Sequence, residues 1–355
     1  MDILGITEID HPTSLNRFPP QALRHAILPP AVAENLRDQA QLRATHYSTR
    51  IEGNRLTLKE TEQVIQQGRL LPGRERDVKE VERYYRALQQ MEKWVESSQR
   101  ITEERIRKLH ALLFKGPRAR PTPYRDGQNV IREAGGKIAY LPPEAQDVPA
   151  LMKELVSWIN NSVRENPIPV VAGVAHYQFE TIHPFFDGNG RTGRLLTTWI
   201  LYRSGYNLGK FYSLEEFYAQ DLDGYYQALA THPHHNYYEG PNIADVTLWL
   251  EYFLQGMAVI FENVIAETQK RTAPKSEENE QKLLRILDQR ARRVLSLFAR
   301  QELIRSVQVA QLLGLSERQA RALLSDWVAQ GWIEAADPSR KARRYRLAAK
   351  YRDLI

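Results

Sequence analysis

The chain has 355 residues, enough for two or three domains, and its 42% hydrophobic share is ordinary for a globular protein. It has no cysteine, which excludes disulfides, thiol nucleophiles and cysteine zinc sites and points to a reducing, cytoplasmic setting. No run of about 18 apolar residues and no basic start leading into an apolar core is present, so no membrane span, membrane partner or secretory signal is expected. The net charge of +6 is unevenly spread. From Lys282 onward sixteen Lys and Arg face seven Asp and Glu, roughly +9, which leaves the first 281 residues near −3 and predicts a separate basic module at the C-terminal end.

Pro12, Pro19, Pro20, Pro29 and Pro30 mark residues 1 to about 30 as an irregular arm. Ala31 to Ile51, rich in Ala, Gln, Arg, Glu and Leu, predicts a helix. It ends at Glu52-Gly53-Asn54, where Gly53 can take the left-handed cap conformation. Ser48 and Glu52 stand four apart and share one helix face. Read alone, they are a polar pair facing water. Leu56 to Gln67 predicts a second helix, with Thr57 as N-cap and Glu60 completing a capping box. Val78 to Ser97 predicts a third, whose apolar stripe runs Val78, Val81, Tyr84, Tyr85, Leu88, Met91 and Trp94. Thr102 caps a fourth, with Ile106, Leu109 and Leu113 on one face.

Between Tyr124 and Pro143 the period changes. Asn129-Val130-Ile131 and Lys137-Ile138-Ala139-Tyr140 flank Glu133-Ala134-Gly135-Gly136 and predict a hairpin. It serves either as a structural flap or as a docking edge for an extended peptide. Helices resume at about Pro149 to Val163, with Leu151, Leu155 and Trp158 on one face, and at Ile168 to Thr181, with Val171, Val174, Ala175 and Phe179 inward. Leu195 to Tyr202 is apolar on most of its circumference and predicts a central buried helix ended by Gly205. Ser213 to Glu216 predicts a capping box that opens a helix through about Leu229, containing Tyr225 and Tyr226. Ile243 to about Ala266 completes the helical body.

Thr268 to Gln281, polar and interrupted by Pro274, reads as a linker. Beyond it come a helix at Val294 to Phe298, a second at Ser306 to Leu313, a tight turn at Gly314-Leu315-Ser316, and a third helix from Glu317 to Gln330. Gly331 to Glu334 and Arg344 to Leu347 predict two strands around Asp337-Pro338-Ser339. Helix-turn-helix followed by a hairpin is the winged-helix pattern. Arg318 and Arg321 fall on the exposed face of the third helix, and Arg340, Lys341, Arg343 and Arg344 on the wing. That placement suits DNA phosphates, while protein docking is the other use of such a module.

The chemistry concentrates in His183-Pro184-Phe185-Phe186-Asp187-Gly188-Asn189-Gly190-Arg191-Thr192-Gly193-Arg194. Gly188, Asn189 and Gly190 can turn backbone N–H groups to one side at the start of a helix, forming an anion cradle suited to phosphate. Arg191 and Arg194 are three apart and can point at one polyphosphate. Asp187 offers a hard oxygen ligand for Mg²⁺. His183 can serve as a base near neutral pH. Base, metal ligand, anion hole and arginine clamps are the parts that transfer of a phosphorus-centred group requires. The segment is not the common phosphate loop, because no Lys-Ser/Thr follows its glycines.

At every defined position, His183 to Arg194 matches the Fic signature His-Pro-Phe-x-Asp/Glu-Gly-Asn-Gly-Arg-x-x-Arg, and the chain is similar to the Fic family over about Ala31 to Phe261. Ser48-x-x-x-Glu52-Gly53 resembles the family's inhibitory motif and, by its place ahead of the core, the class with an N-terminal inhibitory helix, which reverses the plain reading of that pair. The resemblance implies a mostly α fold: a Fic helical domain with a β-hairpin flap, here followed by a winged helix-turn-helix domain. The expected divisions are 1–100 for the arm and inhibitory region, 101–266 for the Fic core, 267–281 for the linker and 282–355 for the winged helix.

The resemblance also implies protein AMPylation from ATP and Mg²⁺. His183 would deprotonate the target hydroxyl. Asp187 would hold Mg²⁺. Gly188, Asn189 and Gly190, with Thr192 and Gly193 in the same motif, would form the phosphate site, steadied by Arg191 and Arg194. Tyr225 and Tyr226 would border the adenine, against ordinary helix packing as their other reading. The flap residues Asn129, Val130, Ile131, Ile138, Ala139 and Tyr140 would hold the target segment by main-chain pairing. Glu52 would pair with Arg194 and repel the incoming triphosphate. Some relatives carrying such a glutamate also remove AMP, and the class implies a homodimer. The competing readings are a Fic transferase of another phosphate-containing group and a nucleotide-sensing DNA-binding regulator.

Overall fold

The computed structural model describes residues 28, 30–132, 136, 138–231, 234–240, 244–272, 283–284, 286–336 and 343–355. The arm over residues 1–27, the hairpin tip at Glu133 to Gly135, Ile243, Pro274 and the wing residues Arg340 and Lys341 lie outside the described residues. The described chain is mostly helical. It divides into two compact units, Ala40 to Asn263 in one, and the stretch up to Gln39 with Val264 to Ile355 in the other. Residues 40–100 therefore share a unit with residues 101–263.

The first unit is built around α6 (Ile168–Ile182) and α7 (Asn189–Arg203). All side chains from Arg191 to Tyr202 are buried, as the apolar run at Leu195 to Tyr202 dictates. Trp199 packs on Trp94 with ring centroids 5.2 Å apart, and Trp249 donates its indole N–H to the Gly173 carbonyl at 2.8 Å. Around the pair lie α1 (Pro30–Ile51) from Ala40 on, α2 (Leu58–Gln67), α3 (Glu75–Glu96), α4 (Glu103–Phe114), α5 (Val148–Ser162), α8 (Leu214–Gln220), α9 (Leu222–Leu229) and α10 (Thr247–Thr272) up to Asn263. Helix α2 opens on a closed capping box: Thr57 accepts the Glu60 N–H at 3.2 Å, and Glu60 accepts the Thr57 N–H at 2.8 Å. Strands β1 (Ile131–Arg132) and β2 (Ile138–Tyr140) pair antiparallel, Ile131 opposite Tyr140 and Arg132 opposite Ile138.

Four expectations are corrected. The helix expected from Ser213 to Leu229 is two, because Asp221 leaves helical geometry (φ −136°, ψ 77°) and its carboxylate caps the second by accepting the Gly224 N–H at 2.9 Å. The capping box expected at Ser213 is half made. Ser213 accepts the Glu216 N–H at 3.2 Å, but Glu216 turns to Arg43 at 3.4 Å instead of returning the bond. Helix α5 buries Val148, Met152, Leu155 and Ile159, leaving Leu151 and Trp158 half-buried, so its inward face is turned by one residue. Helix α10 runs on to Thr272, through the first residues of the expected linker.

The second unit contains α11 (Gln289–Phe298), β3 (Ile304–Arg305), α12 (Ser306–Leu313), α13 (Glu317–Ala329), β4 (Ile333–Ala335) and β5 (Arg344–Leu347). The strands form an antiparallel sheet ordered β3-β5-β4, and β3 was not foreseen from the sequence. Val294, Leu295, Phe298, Leu324, Trp327 and Trp332 fill the space between helices and sheet, the two tryptophan rings 5.0 Å apart. Gly314 takes φ +66° after α12, a conformation open to glycine at little cost, and the Ser316–Gln319 capping box starts α13 directly after that turn.

Candidate active site

The twelve-residue segment forms the end of α6, a tight loop and the first turns of α7. Helix α6 stops at His183, which adopts a left-handed conformation (φ 50°, ψ 61°). The loop is pinned from both directions by Asn189. Its side-chain oxygen accepts the Phe185 N–H at 2.9 Å, and its amide donates to the Phe185 carbonyl at 2.8 Å. Gly188 is the N-cap of α7 with φ 78°, and a Cβ there would stand 2.5 Å from the Phe114 ring. Both facts require glycine at that corner. His110 supports the loop from α4. It donates Nε2–H to the Asp187 carbonyl at 2.8 Å, accepts from Thr122 at 3.0 Å on Nδ1, and stacks on Phe185 at 3.8 Å.

His183 donates Nδ1–H to the Glu180 carbonyl at 3.3 Å, which leaves Nε2 as the free lone pair of the ring. Burial pushes its pKa down to about 4, helped by the Arg125 cation and opposed by the Glu180 carbonyl, Glu52 and Asp187. The imidazole is therefore neutral at pH 7, as a base must be. Asp187 accepts the Gly188 N–H at 2.6 Å and Arg191 at 3.2 Å on one oxygen, and its carboxylate is otherwise open to solvent.

The two arginines have separate partners. Arg191 pairs with Glu80 of α3 as well as with Asp187, and its guanidinium lies 5.1 Å over the Phe114 ring. Arg194, 2% exposed, donates to Ser48 Oγ at 2.9 Å, to the Ser48 carbonyl at 3.1 Å and to Glu52 Oε1 at 2.7 Å. Burial opposes the charge on Arg194, but Glu52, with Tyr225 and Tyr84, more than offsets this and holds its pKa above the ordinary guanidinium value. Glu52 follows the last turn of α1, and Gly53 ends that helix with φ +91°. A Cβ on Gly190 would stand 2.4 Å from Glu52 Oε1. The carboxylate thus rests on the first turn of α7, at the positive end of its dipole, in the place where a phosphate is favoured. Thr192 is buried with its hydroxyl on the Gly188 carbonyl at 2.8 Å, and Gly193 leaves room for Glu180, whose Oε1 would lie 2.3 Å from a Cβ there.

The hairpin stands beside the loop. Asn129 donates to the Phe185 and Phe186 carbonyls at 3.2 and 3.3 Å, and its own Oδ1 accepts the Val130 N–H at 2.8 Å. Ile131, Ala139 and Tyr140 are half-buried and Ile138 is exposed; Tyr140 donates to the Thr181 carbonyl at 3.0 Å. Of the two tyrosines, Tyr225 is 1% exposed, hydrogen-bonded to His176 at 2.8 Å and stacked on Tyr218, so its ring belongs to the core. Tyr226 is 50% exposed. Among the described residues no group of three or more His, Asp or Glu side chains is arranged to hold a metal ion.

Five contributors were not foreseen: His110, Arg125, Glu80, Tyr84 and Glu180. Arg125 is buried and bonded to backbone carbonyls around His183. Tyr84 joins Glu215 at 3.2 Å beside the Ser48–Arg194 contact. Glu180 has its Oε1 buried without a hydrogen-bond partner, and burial pushes its pKa up to about 8, with Arg194 opposing and Glu52 adding to the rise. The exception to helical periodicity at Glu180, a carboxylate beside the inward Phe179, was the one available signal.

Comparison with known proteins agrees with this geometry. The profile of the Fic/DOC family matches residues 100–201. The chain is 30% identical over 173 residues to the protein adenylyltransferase Fic of Drosophila willistoni, covering 47% of this chain and 33% of that protein. It is 31% identical over 173 residues to that of Drosophila virilis, covering 47% and 34%. The chain thus spans about a third of the length of these curated relatives. Among solved structures, a Fic family protein from Desulfovibrio desulfuricans superposes with a TM-score of 0.60 at 26% identity, over 96% of this chain and 98% of that one. A Fic domain containing signaling protein from Bacteroides thetaiotaomicron shares the fold, with a TM-score of 0.55 at 21% identity over 73% of this chain and 92% of that one. A Fic/DOC profile thus matches the stretch that includes the loop joining α6 to α7, and a solved Fic family protein is similar to the chain over nearly its full length.

Proposed function

We propose that the protein is an adenylyltransferase that moves AMP from ATP to a Ser, Thr or Tyr hydroxyl of a target protein, and of itself, and that its resting form is held inactive by Glu52. One observation carries the reading: Glu52 sits on Arg194, seven residues beyond the loop's only carboxylate, against the first turn of α7 and beside a neutral histidine. The family and the names of the matched relatives support AMP transfer, and the site geometry supplies roles for the residues.

In the reaction the target hydroxyl oxygen bonds to the α-phosphorus, the bond from that phosphorus to the bridging oxygen breaks, and pyrophosphate leaves. His183 Nε2 takes the hydroxyl proton, since Nδ1 is committed to the Glu180 carbonyl. The N–H groups of the first turn of α7 and the Arg194 guanidinium face the phosphates. Asp187 is the residue that would hold Mg²⁺. A single carboxylate with unused lone pairs fits an ion that takes most of its ligands from phosphate oxygens and water, and the ion would neutralise charge on the phosphates. Tyr226, not the buried Tyr225, is the tyrosine accessible to the adenine. The hairpin would receive the target as an added strand.

Glu52 blocks this arrangement in two ways. It occupies the Arg194 guanidinium, and its negative charge stands where the triphosphate must lie. Glu52→Gly is expected to raise transfer from radiolabelled ATP, with Mg²⁺ in a cell lysate, by one to several orders of magnitude, the scale that misplacing a substrate costs. A variant no faster than the parent removes the inhibitory assignment. An adduct mass other than that of AMP removes the AMP reading in favour of another phosphate-containing group.

A second activity has its own observation. On α13 Arg318 and Arg321 are both exposed, Arg321 paired with Glu317 of the same helix, in a three-helix, three-stranded unit whose element order suits a winged helix. We propose that this face binds DNA phosphates. In a gel-shift series with the full chain, Arg318→Ala/Arg321→Ala should weaken binding and reduce its salt dependence by about two charges. A salt slope in the double variant equal to that of the parent overturns it.

A further inference from the structure

We infer that Arg125 is a positioning residue: its one guanidinium holds the loop that carries His183 and both legs of the hairpin in a single arrangement. The inference rests on the AMP-transfer reading of the site, in which His183 is the base and the hairpin receives the target.

Arg125 lies in the loop after α4 and is 3% exposed. Its four recorded side-chain hydrogen bonds all go to backbone carbonyls. Nε donates to His183 O at 2.9 Å, one terminal nitrogen to Gly127 O at 3.1 Å, and the other to Pro143 O and, at 3.4 Å, to Ile182 O. Its own N–H donates to Pro184 O at 3.0 Å. No carboxylate among the described residues forms an ion pair with it. Such a cation is satisfied because Ile182 and His183 carry the last carbonyls of α6, at the negative end of that helix. Gly127 precedes β1 and Pro143 follows β2, so one planar group spans the base and the two ends of the hairpin.

Three shorter ties run parallel to it: Asn129 to Phe185 and Phe186, Gln128 to Pro142 O at 2.8 Å, and Tyr140 to Thr181 O. Only Arg125 reaches His183 itself. That residue needs the support, because a left-handed backbone in a non-glycine residue persists only where its surroundings over-determine it. A lysine keeps the charge but lacks the fork that reaches four separate carbonyls. The same cation also disfavours protonation of the imidazole it anchors.

The test uses the full chain carrying Glu52→Gly, with and without Arg125→Lys. The added substitution is expected to lower kcat for transfer from labelled ATP by about 10- to 100-fold, while the ATP dissociation constant changes by less than about twofold. A histidine nitrogen NMR spectrum, which needs no turnover, should show His183 as a single Nδ1–H imidazole in the parent and a mixture of tautomers in the variant. Transfer within twofold of the parent, unchanged His183 resonances, a loss of ATP affinity in step with the rate, or loss of the cooperative unfolding transition each overturns the inference, the last two by showing a general structural role. If the Glu52→Gly parent transfers no AMP, the reading of the function fails, and the His183 spectrum still decides whether Arg125 holds that ring.

Discussion

The two ends of the twelve-residue segment are held by different kinds of contact. At the His183 end the partners are backbone atoms: the Glu180 carbonyl on the imidazole, Asn189 on Phe185, Asn129 on Phe185 and Phe186, and Arg125 on His183 and Ile182. At the Arg194 end the partners come from far away in sequence: the Ser48 hydroxyl and carbonyl, and the Glu52 carboxylate. Backbone contacts are fixed with the fold. A surface-reaching carboxylate, 25% exposed, can leave by rotating a few bonds. On the proposed reading, the base would be assembled before any substrate arrives, and the phosphate seat would be the part open to regulation.

Four perturbations bear on this contrast. The largest effect is expected from His183→Ala in the Glu52→Gly protein. Transfer should fall by about 10²- to 10⁴-fold, the usual worth of a general base, with the ATP dissociation constant nearly unchanged. A parallel loss of ATP binding would join the two ends into one unit and break the comparison. Next come the gain from Glu52→Gly and the loss from Arg125→Lys, which act on opposite ends and should combine additively in the logarithm of the rate if the ends are independent.

The smallest effect concerns Glu180, which lies between the ends. Its pKa is raised to about 8 by burial, so the folded chain keeps a proton that the unfolded chain loses above the ordinary carboxyl value of 4.5. Stability contributed by this group is present below that value and is lost as pH rises toward 8, by about 1.4 kcal/mol per pH unit. Glu180→Gln should raise the thermal midpoint at pH 7.5 by a few degrees and leave it unchanged at pH 4. Equal midpoints at both pH values would place Glu180 in contact with solvent.

Much of this was legible in the chain. Recurrence at the helical period located α3, α4 and α6, because burying one stripe leaves a pattern in the residues, and an apolar run on most of its circumference located α7. Ser48 and Glu52 could be linked to Arg194 through spacing and resemblance. The Arg125 contacts could not be foreseen, since its partners are carbonyl oxygens that every residue carries. Glu80 and Arg191 are 111 residues apart, and no local pattern ties one carboxylate on α3 to one arginine on α7. The break between α8 and α9 was missed because Asp221 in a polar helix looks like any solvated residue until its carboxylate turns back on Gly224. Tyr225 and Tyr226 read alike in sequence. Helical geometry sends neighbours to different sides, and here one is in the core and one outside.

Gly190 carries a last consequence. Its missing Cβ is the space into which the Glu52 carboxylate fits, and the same first turn of α7 is where the phosphates are expected. Lock and keyhole are cut from one glycine. On the proposed reading, a substitution at Gly190 that displaces Glu52 would also crowd the nucleotide, so constitutive activity would not be expected from that position. The escape routes would then lie on the segment that ends α1, where loss of Glu52 is expected to leave the seat it vacates intact.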